Sequence, residues 1–223
     1  MEYVLDNPAW YALNSGNINL AYGTDQVKFF DNDVAPFVGF NENSAENFNK
    51  LYDLITHDEF VSFVSPHPTP IPGKWKVLRH IPCLQMIHDG VMRTVNTDIV
   101  DLEKEHVPQM LELTQLTQPG PFRDQTIKFG LFQGIFENQK LVSMAGQRMA
   151  PLPYVEVTAV CTHPDYTGKG YAKQLLISQT KHVIAQGYIP FLHVRDDNHR
   201  AIKVYESVGF VTRTDMHFYM LGK

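Results

Sequence analysis

The chain has 223 residues, 43% of them hydrophobic and 19% charged, which fits a folded globular protein of one large domain or two small ones. Its net charge of −5, with ten histidines counted neutral, speaks against nucleic acid as the main ligand, because phosphate binding shows as a basic excess. No apolar run approaches the roughly 20 residues of a membrane span, and Met1–Asp6 lacks the basic start and apolar core of a signal peptide, so a cytoplasmic setting with no membrane partner is expected.

Cys83 and Cys161 lie outside any CxxC pair, which removes a zinc or redox motif. Two buried thiols in a reducing compartment are favoured over a single disulfide between them. No His pair shows metal-ligand spacing, so no metal is expected.

Along the chain, residues 7–50 scatter aromatics among Asn, Asp and Gly, with Phe29-Phe30 reading as a short strand before a turn at Asp31-Asn32-Asp33. Ala45–Thr56 carries Phe48, Leu51, Tyr52 and Ile55 at helical spacing. Phe60–Val64 reads as a strand, Pro66–Gly73 as an extended proline loop, and Leu84–His88 as a strand ending in a turn at Asp89-Gly90. The texture changes near residue 96. Ile99–Leu102 is expected as a strand and Glu103–Thr117 as a helix with Val107, Met110, Leu111 and Leu116 on one face. Three strands follow at Gly134–Glu137, Lys140–Met149 and Tyr154–Thr162, the first two joined by a tight Asn138-Gln139 turn. A long helix from Gly170 to Gln186 is stopped by Gly187, and Ile189–Val194 is a strand. Asn198 caps a helix closed by Gly209, and Val211–Leu221 supplies one or two last strands. The order predicts an α+β fold with helices packed on a mixed sheet.

The segment Val160-Cys161-Thr162-His163-Pro164-Asp165-Tyr166-Thr167-Gly168-Lys169-Gly170-Tyr171-Ala172 carries the chemistry. A strand runs into a loop with two glycines that opens directly into an amphipathic helix. Backbone N–H groups at a helix start lack partners within the helix, the dipole there is positive, and glycines let the chain curl so that those groups converge on an anion. A Gly-x-Gly before a helix also serves as a plain tight turn. No Gly-Lys-Ser/Thr follows, and the third glycine and early position of a dinucleotide fingerprint are missing.

Residues 154–210 resemble the core of the GNAT N-acetyltransferases. Their Gln/Arg-x-x-Gly-x-Gly/Ala loop is matched at Gly170 and Ala172, with Thr167 departing at the first position and removing one side-chain contact to a pyrophosphate. Their Asn-x-x-Ala-x-x-x-Tyr-x-x-x-Gly-Phe signature is matched at Asn198, Ala201, Tyr205, Gly209 and Phe210, about 30 residues downstream. The resemblance implies a GNAT fold with a mixed, mostly antiparallel sheet. It further implies acetyl-CoA as co-substrate, an amine acceptor on a small molecule, amino acid or peptide, and a monomer or homodimer. Residues 1–95 resemble the N-terminal extension of a two-part subgroup, a degenerate acetyltransferase half, with residues 96–223 as the catalytic domain.

The cofactor residues implied are Val160, Cys161, Thr162, Thr167, Gly168, Lys169, Gly170, Tyr171, Ala172, Lys173, Asn198, Ala201 and Tyr205. Strand 154–162 is expected to splay from strand 189–194, leaving the backbone of Val160 and Thr162 to bind pantetheine. Tyr205 is the expected general acid, since a phenol with a reference pKa of about 10 is close to a thiol in proton affinity. Its other reading is a core tyrosine in the stripe Ala201, Ile202, Tyr205, Val208. Glu156 is the expected base, with a pKa raised by burial, sharing a strand face with Thr158 and Val160. It reads equally as a base acting through water, as a ligand of the substrate ammonium, or as an ordinary strand glutamate. His193 reads as a satisfied structural histidine and His163 as a solvated one, with proton shuttling as the alternative. A non-catalytic acyl-CoA sensor is the competing function.

Overall fold

A computed structural model describes residues 3–89 and 98–223. In chain order it contains α1 (Pro8–Leu13), β1 (Ala21–Gly23), β2 (Val27–Phe30), β3 (Phe37–Phe40), α2 (Ala45–Leu54), β4 (Val61–Ser65) and β5 (Lys76–His88). Then come β6 (Val100–Leu102), α3 (Val107–Thr117), β7 (Phe132–Glu137), β8 (Lys140–Gln147), β9 (Tyr154–Thr162), α4 (Tyr171–Ala185), β10 (Ile189–Arg195), α5 (His199–Val208) and β11 (Phe210–Gly222). Among the described residues the strands form one eleven-stranded sheet in the order β1-β2-β3-β4-β11-β5-β10-β9-β8-β7-β6. Among the described residues only β3–β4 and β9–β10 pair in parallel. The fold is α+β with a mixed, mostly antiparallel sheet, as the sequence implied.

The sheet carries one topological unit twice. Antiparallel β1-β2-β3 cross through α2 to β4, parallel to β3, while antiparallel β7-β8-β9 cross through α4 to β10, parallel to β9. Parallel neighbours need such a crossover, because a tight turn can only reverse the chain. The strands that complete each unit are exchanged: β11, late in the chain, pairs with β4, and β5, from the first half, pairs with β10. The long β5–β11 ladder joins the two units. The expected boundary between residues 95 and 96 lies outside the described residues.

Local chemistry accounts for the elements that position the site. Asn138 and Gln139 both adopt positive φ, 50° and 68°, as a two-residue hairpin turn requires. Asn198 caps α5 by accepting from the Ala201 N–H, and Gly209 ends that helix at φ 108°. In α3 the inward residues are Met110, Leu113 and Thr114. Leu116, expected on the buried face, is 53% exposed, because it follows Val107 by nine residues, two and a half turns of an α-helix, and so stands on the opposite face. β5 starts eight residues before the expected Leu84, because its first part pairs with β11 alone. Strand β3 and helix α1 were not read from the sequence.

The core divides by sheet face. α1 and α3 cover one face with Ala9, Ala12, Leu13, Met110 and Leu113 packed on Phe30, Phe37, Cys83, Met144, Cys161 and Met216. On the opposite face α4 and α5 pack Leu176, Tyr205 and Val208 on Met86, Val157, Leu192, Val194 and Phe210. Both cysteines are free and buried. Burial pushes the Cys83 thiol up to about 12 and that of Cys161 up to about 11, so neither is a thiolate near neutral pH.

Candidate active site

The gap between β9 and β10 forms because their pairing is short. It runs over Ile189↔Tyr154, Pro190↔Val155 and Phe191↔Glu156 and then stops, although both strands continue. On its other side β9 stays on β8, but with one extra residue: Gly146 pairs with Thr158 and Met144 with Cys161, so two β9 residues oppose Ala145 alone. This is a β-bulge, and Ala159 takes a left-handed φ of 53°. Ala159 and Val160 therefore have no register partner on either neighbouring strand.

The bulge corrects the expected alternation of side chains. Val160 packs with Val157, Leu175 and Tyr171 on the α4 face, while Ala159 and Cys161 pack under α3. Glu156 and Val160 thus lie on opposite faces, because one inserted residue reverses the phase of everything after it. Cys161 reaches the gap through its backbone, its side chain being buried. The Thr162 hydroxyl lies 2.8 Å from Ser143 Oγ, which donates to the Cys161 carbonyl.

At the open end of the gap the chain enters α4 through Gly168 and Gly170, with φ of 82° and 80°. A Cβ at either would meet nothing within 4 Å, so these glycines are needed for backbone conformation and not for space. Gly170 is the N-cap of α4 and supplies no side-chain cap. The first main-chain bond into the helix runs from Gln174 N–H to the Gly170 carbonyl. Among the described residues, the N–H groups from Gly168 through Lys173 have no acceptor within the chain. Unpaired donors at a positive helix end form an anion site.

The loop's side chains are arranged around it. Thr167 Oγ1 donates to the Pro164 carbonyl at 3.0 Å. Lys169 Nζ lies 3.6 Å from Glu137 Oε1 and sits over the rings of Tyr166 and Tyr171. The Tyr171 hydroxyl donates to the same Glu137 carboxylate. Ala172 and Lys173 are half-buried on the first turn, as is Ala201 on α5, while Asn198 is exposed.

Tyr205, on α5, is 9% exposed, and its hydroxyl has no hydrogen-bond partner among the described residues. Burial, with the Cys161 thiol adding to it, pushes the phenol up to about 12. It is a protonated donor throughout the neutral range, with its hydrogen uncommitted.

Glu156 departs from the expected raised carboxyl. It is fully buried at the closed end of the gap. Burial alone would raise its pKa, but the Arg148 guanidinium and the His193 ring outweigh that and hold it at about 2. Arg148 Nε and Nη2 donate to the two carboxylate oxygens at 2.8 and 2.6 Å, and the guanidinium stacks on Phe37. His193 Nδ1 lies 2.7 Å from Glu156 Oε1, and its Nε2 lies 3.0 Å from Gln85 Nε2. Only a neutral ring with the proton on Nδ1 satisfies both, since the amide nitrogen can only donate. Gln85 also donates to the Leu5 carbonyl and accepts from Arg213, which pairs with Asp6. The chain of contacts from Arg148 to Asp6 joins the two halves and leaves neither Glu156 nor His193 a free proton site. Arg148, Gln85 and Glu137 were missed in the sequence. A charge at the end of an apolar strand was the available signal for Arg148, but its partner sits across a hairpin. His163 Nδ1 accepts from the Asp165 N–H in the turn before the glycine loop.

The geometry is matched in known proteins. A model of FR47-like proteins matches residues 132–219, spanning β7 to most of β11. A solved GNAT-family structure from Novosphingobium aromaticivorans is 34% identical, with a TM-score of 0.93 over 100% of this chain and 99% of that one. The chain belongs to the GNAT family. A GCN5-related N-acetyltransferase structure from Kribbella flavida shares the fold at 13% identity and a TM-score of 0.61, covering 96% of this chain and 95% of that one. An acetyltransferase of Yersinia pestis is 41% identical over 63 residues, 27% of this chain; the chain spans 42% of the length of that curated relative.

Proposed function

We propose that the protein is an N-acetyltransferase that moves the acetyl group of acetyl-CoA to a primary amine by direct attack in a ternary complex. The observation that carries this reading is the run of free N–H groups from Gly168 to Lys173, opening onto a strand gap with an unpaired bulge. The pyrophosphate fits the α4 N-terminus, with Thr167, Lys169 and Tyr171 around it. Pantetheine fits between β9 and β10 against the backbone of Val160, Cys161 and Thr162, bordered by Asn198 and Ala201. Acetyl-CoA supplies an activated acyl thioester.

The chain's own groups then have defined tasks. The Val160 N–H, freed by the bulge, donates to the acyl oxygen as negative charge develops there. The Tyr205 hydroxyl protonates the departing thiolate, and the second proton that the attacking nitrogen sheds on becoming an amide restores the phenol. Glu156 does not serve as the base: a carboxylate at about 2, buried and doubly bonded to Arg148, is too weak an acceptor at neutral pH. The ammonium proton leaves to water at the open end of the gap. Residues 1–95 act as a degenerate half that completes the sheet of residues 96–223. Two free buried thiols fit a reducing, cytoplasmic setting.

Tyr205→Phe is expected to lower kcat about 10²-fold with the dissociation constant of acetyl-CoA unchanged, as removal of a general acid does. Single-turnover thiol release and calorimetric titration measure the two. A thermal melt unshifted by saturating acetyl-CoA would overturn the cofactor assignment itself. An acyl-CoA sensor would bind and stabilise without releasing thiol to any amine.

A further inference from the structure

Strand β5 has a free edge beside the gap. Only Cys83–Ile87 pair with β10, whereas β11 pairs from Lys76 to His88 apart from Leu78, where the register shifts, so the strand partner of Lys76–Pro82 is on one side alone among the described residues. β10 leaves the sheet at this point: its last residue Arg195 pairs with Cys83, and the Asp196 N–H makes a parting bond to the Pro82 carbonyl at 3.3 Å. Main-chain groups alternate sides along an extended strand, and the register is regular from Pro82 to Arg79. The N–H and C=O of His80 therefore project from the same open edge as the Pro82 carbonyl. Residues Lys76–His80 are exposed, Val77 and Leu78 by 45% and 50%.

The edge begins at the level of the chemistry. Counting forward from Phe191↔Glu156 and allowing one residue for the bulge brings Val160 level with Val194 and Arg195. Cys83 lies opposite Arg195, so the open edge starts one residue beyond the proposed acyl-binding N–H and continues the line that β10 vacates. A strand added there would end against Asp196, whose carboxylate suits an incoming ammonium, while the neighbouring Asp197 carboxylate is held by the Arg195 guanidinium. Unpaired edges recruit extended polypeptide through main-chain bonds.

We propose that the β5 edge at Lys76–Pro82 receives the backbone of an extended peptide acceptor, whose α-amino terminus is the group acetylated. This rests on the acetyl-transfer reading and narrows it from amines in general to peptide amino termini.

The test uses the full chain with acetyl-CoA and three acceptor mixtures. They are randomised pentapeptide amides with a free α-amine, the same pentapeptides N-methylated at the second and fourth peptide nitrogens, and single amino-acid amides. Expected is a kcat/KM about tenfold higher for the pentapeptides, lost on N-methylation, as removal of two main-chain bonds requires. Without acetyl-CoA, the pentapeptides should slow amide exchange at His80. His80→Pro, which removes an outward N–H and no β11 ladder bond, should abolish the peptide advantage, while His80→Ala, which removes the ring alone, should keep it. Equal rates for pentapeptides and amino-acid amides, or a peptide advantage surviving N-methylation, would overturn the proposal and leave acetyl transfer standing. No thiol release with any mixture, together with no acetyl-CoA-induced thermal shift, would instead sink the underlying reading.

Discussion

The two parallel pairs of the sheet, β3–α2–β4 and β9–α4–β10, share a topology and differ in what occupies their ends. At the start of α2, Ser44 caps the Asn47 N–H, while the Asn47 side chain donates to Asn41 and to the Glu42 carbonyl. One donor of the first turn is thereby taken up, and Glu46 places an acidic residue in that turn. At the start of α4, Gly170 offers no cap and leaves its donors open. Beside β3 and β4, the rings of Phe40, Phe48 and Phe63 pack with centroids 4.6–5.5 Å apart. The corresponding space beside β9 and β10 opens around a bulge. The two crossover units thus differ in the capping of their helix starts: a side chain takes up the Asn47 N–H in α2, and no side chain takes up a donor at the start of α4.

The largest expected effect concerns the closed end of the open pair. Arg148→Met should destabilise the fold by about 3–5 kcal/mol in urea unfolding, since it leaves the buried Glu156 carboxylate without its main partner. A loss below about 1 kcal/mol would show that the ion pair is not what closes the gap there. Next is the acid response. The Glu156 carboxyl lies at about 2 in the folded protein against 4.5 for a free side chain. Its stabilisation is therefore complete above the unfolded value and lost as pH falls through the folded one, about 3 kcal/mol in all. Glu156→Gln should flatten stability between about pH 4.5 and 2, and should leave any limb of the rate profile between about pH 6 and 9 where it was. A shifted limb in that range would restore Glu156 as a base.

The smallest effects set the two helix starts against each other. Gly170→Val, forced into a left-handed φ of 80°, should weaken acetyl-CoA binding about tenfold, because a β-branched residue disfavours that conformation by about 1–2 kcal/mol. Ser44→Ala should cost about 1 kcal/mol of stability and leave acetyl-CoA affinity unaltered. Equal affinities across the wild type and both variants would erase the distinction between the open and closed copies.

Much of the second half was legible because its signals are local. Glycines that need positive φ, an Asn three residues before the N–H it caps, and strand alternation from Tyr154 to Thr158 act between neighbours. The first half was harder to read because β3 and α1 are short and mostly buried, so neither shows a period. The site was legible as backbone and partly misread as side chains. The glycine loop before α4, the parting of β9 from β10 and the place of Tyr205 on α5 followed from residues near one another in sequence. The protonation state of Glu156 did not.

By itself the sequence determined the loop, the helix caps and the family, since these depend on conformational freedom and spacing within a few residues. Tertiary structure alone decided the rest. The exchange of β5 and β11 fixes which edge is left free. The bulge at Ala159 sends Glu156 and Val160 to opposite faces. Arg148, reached only across the β8–β9 hairpin, turns an expected base into a buried anion, because a carboxyl's charge is set by whichever groups the fold brings within hydrogen-bonding distance.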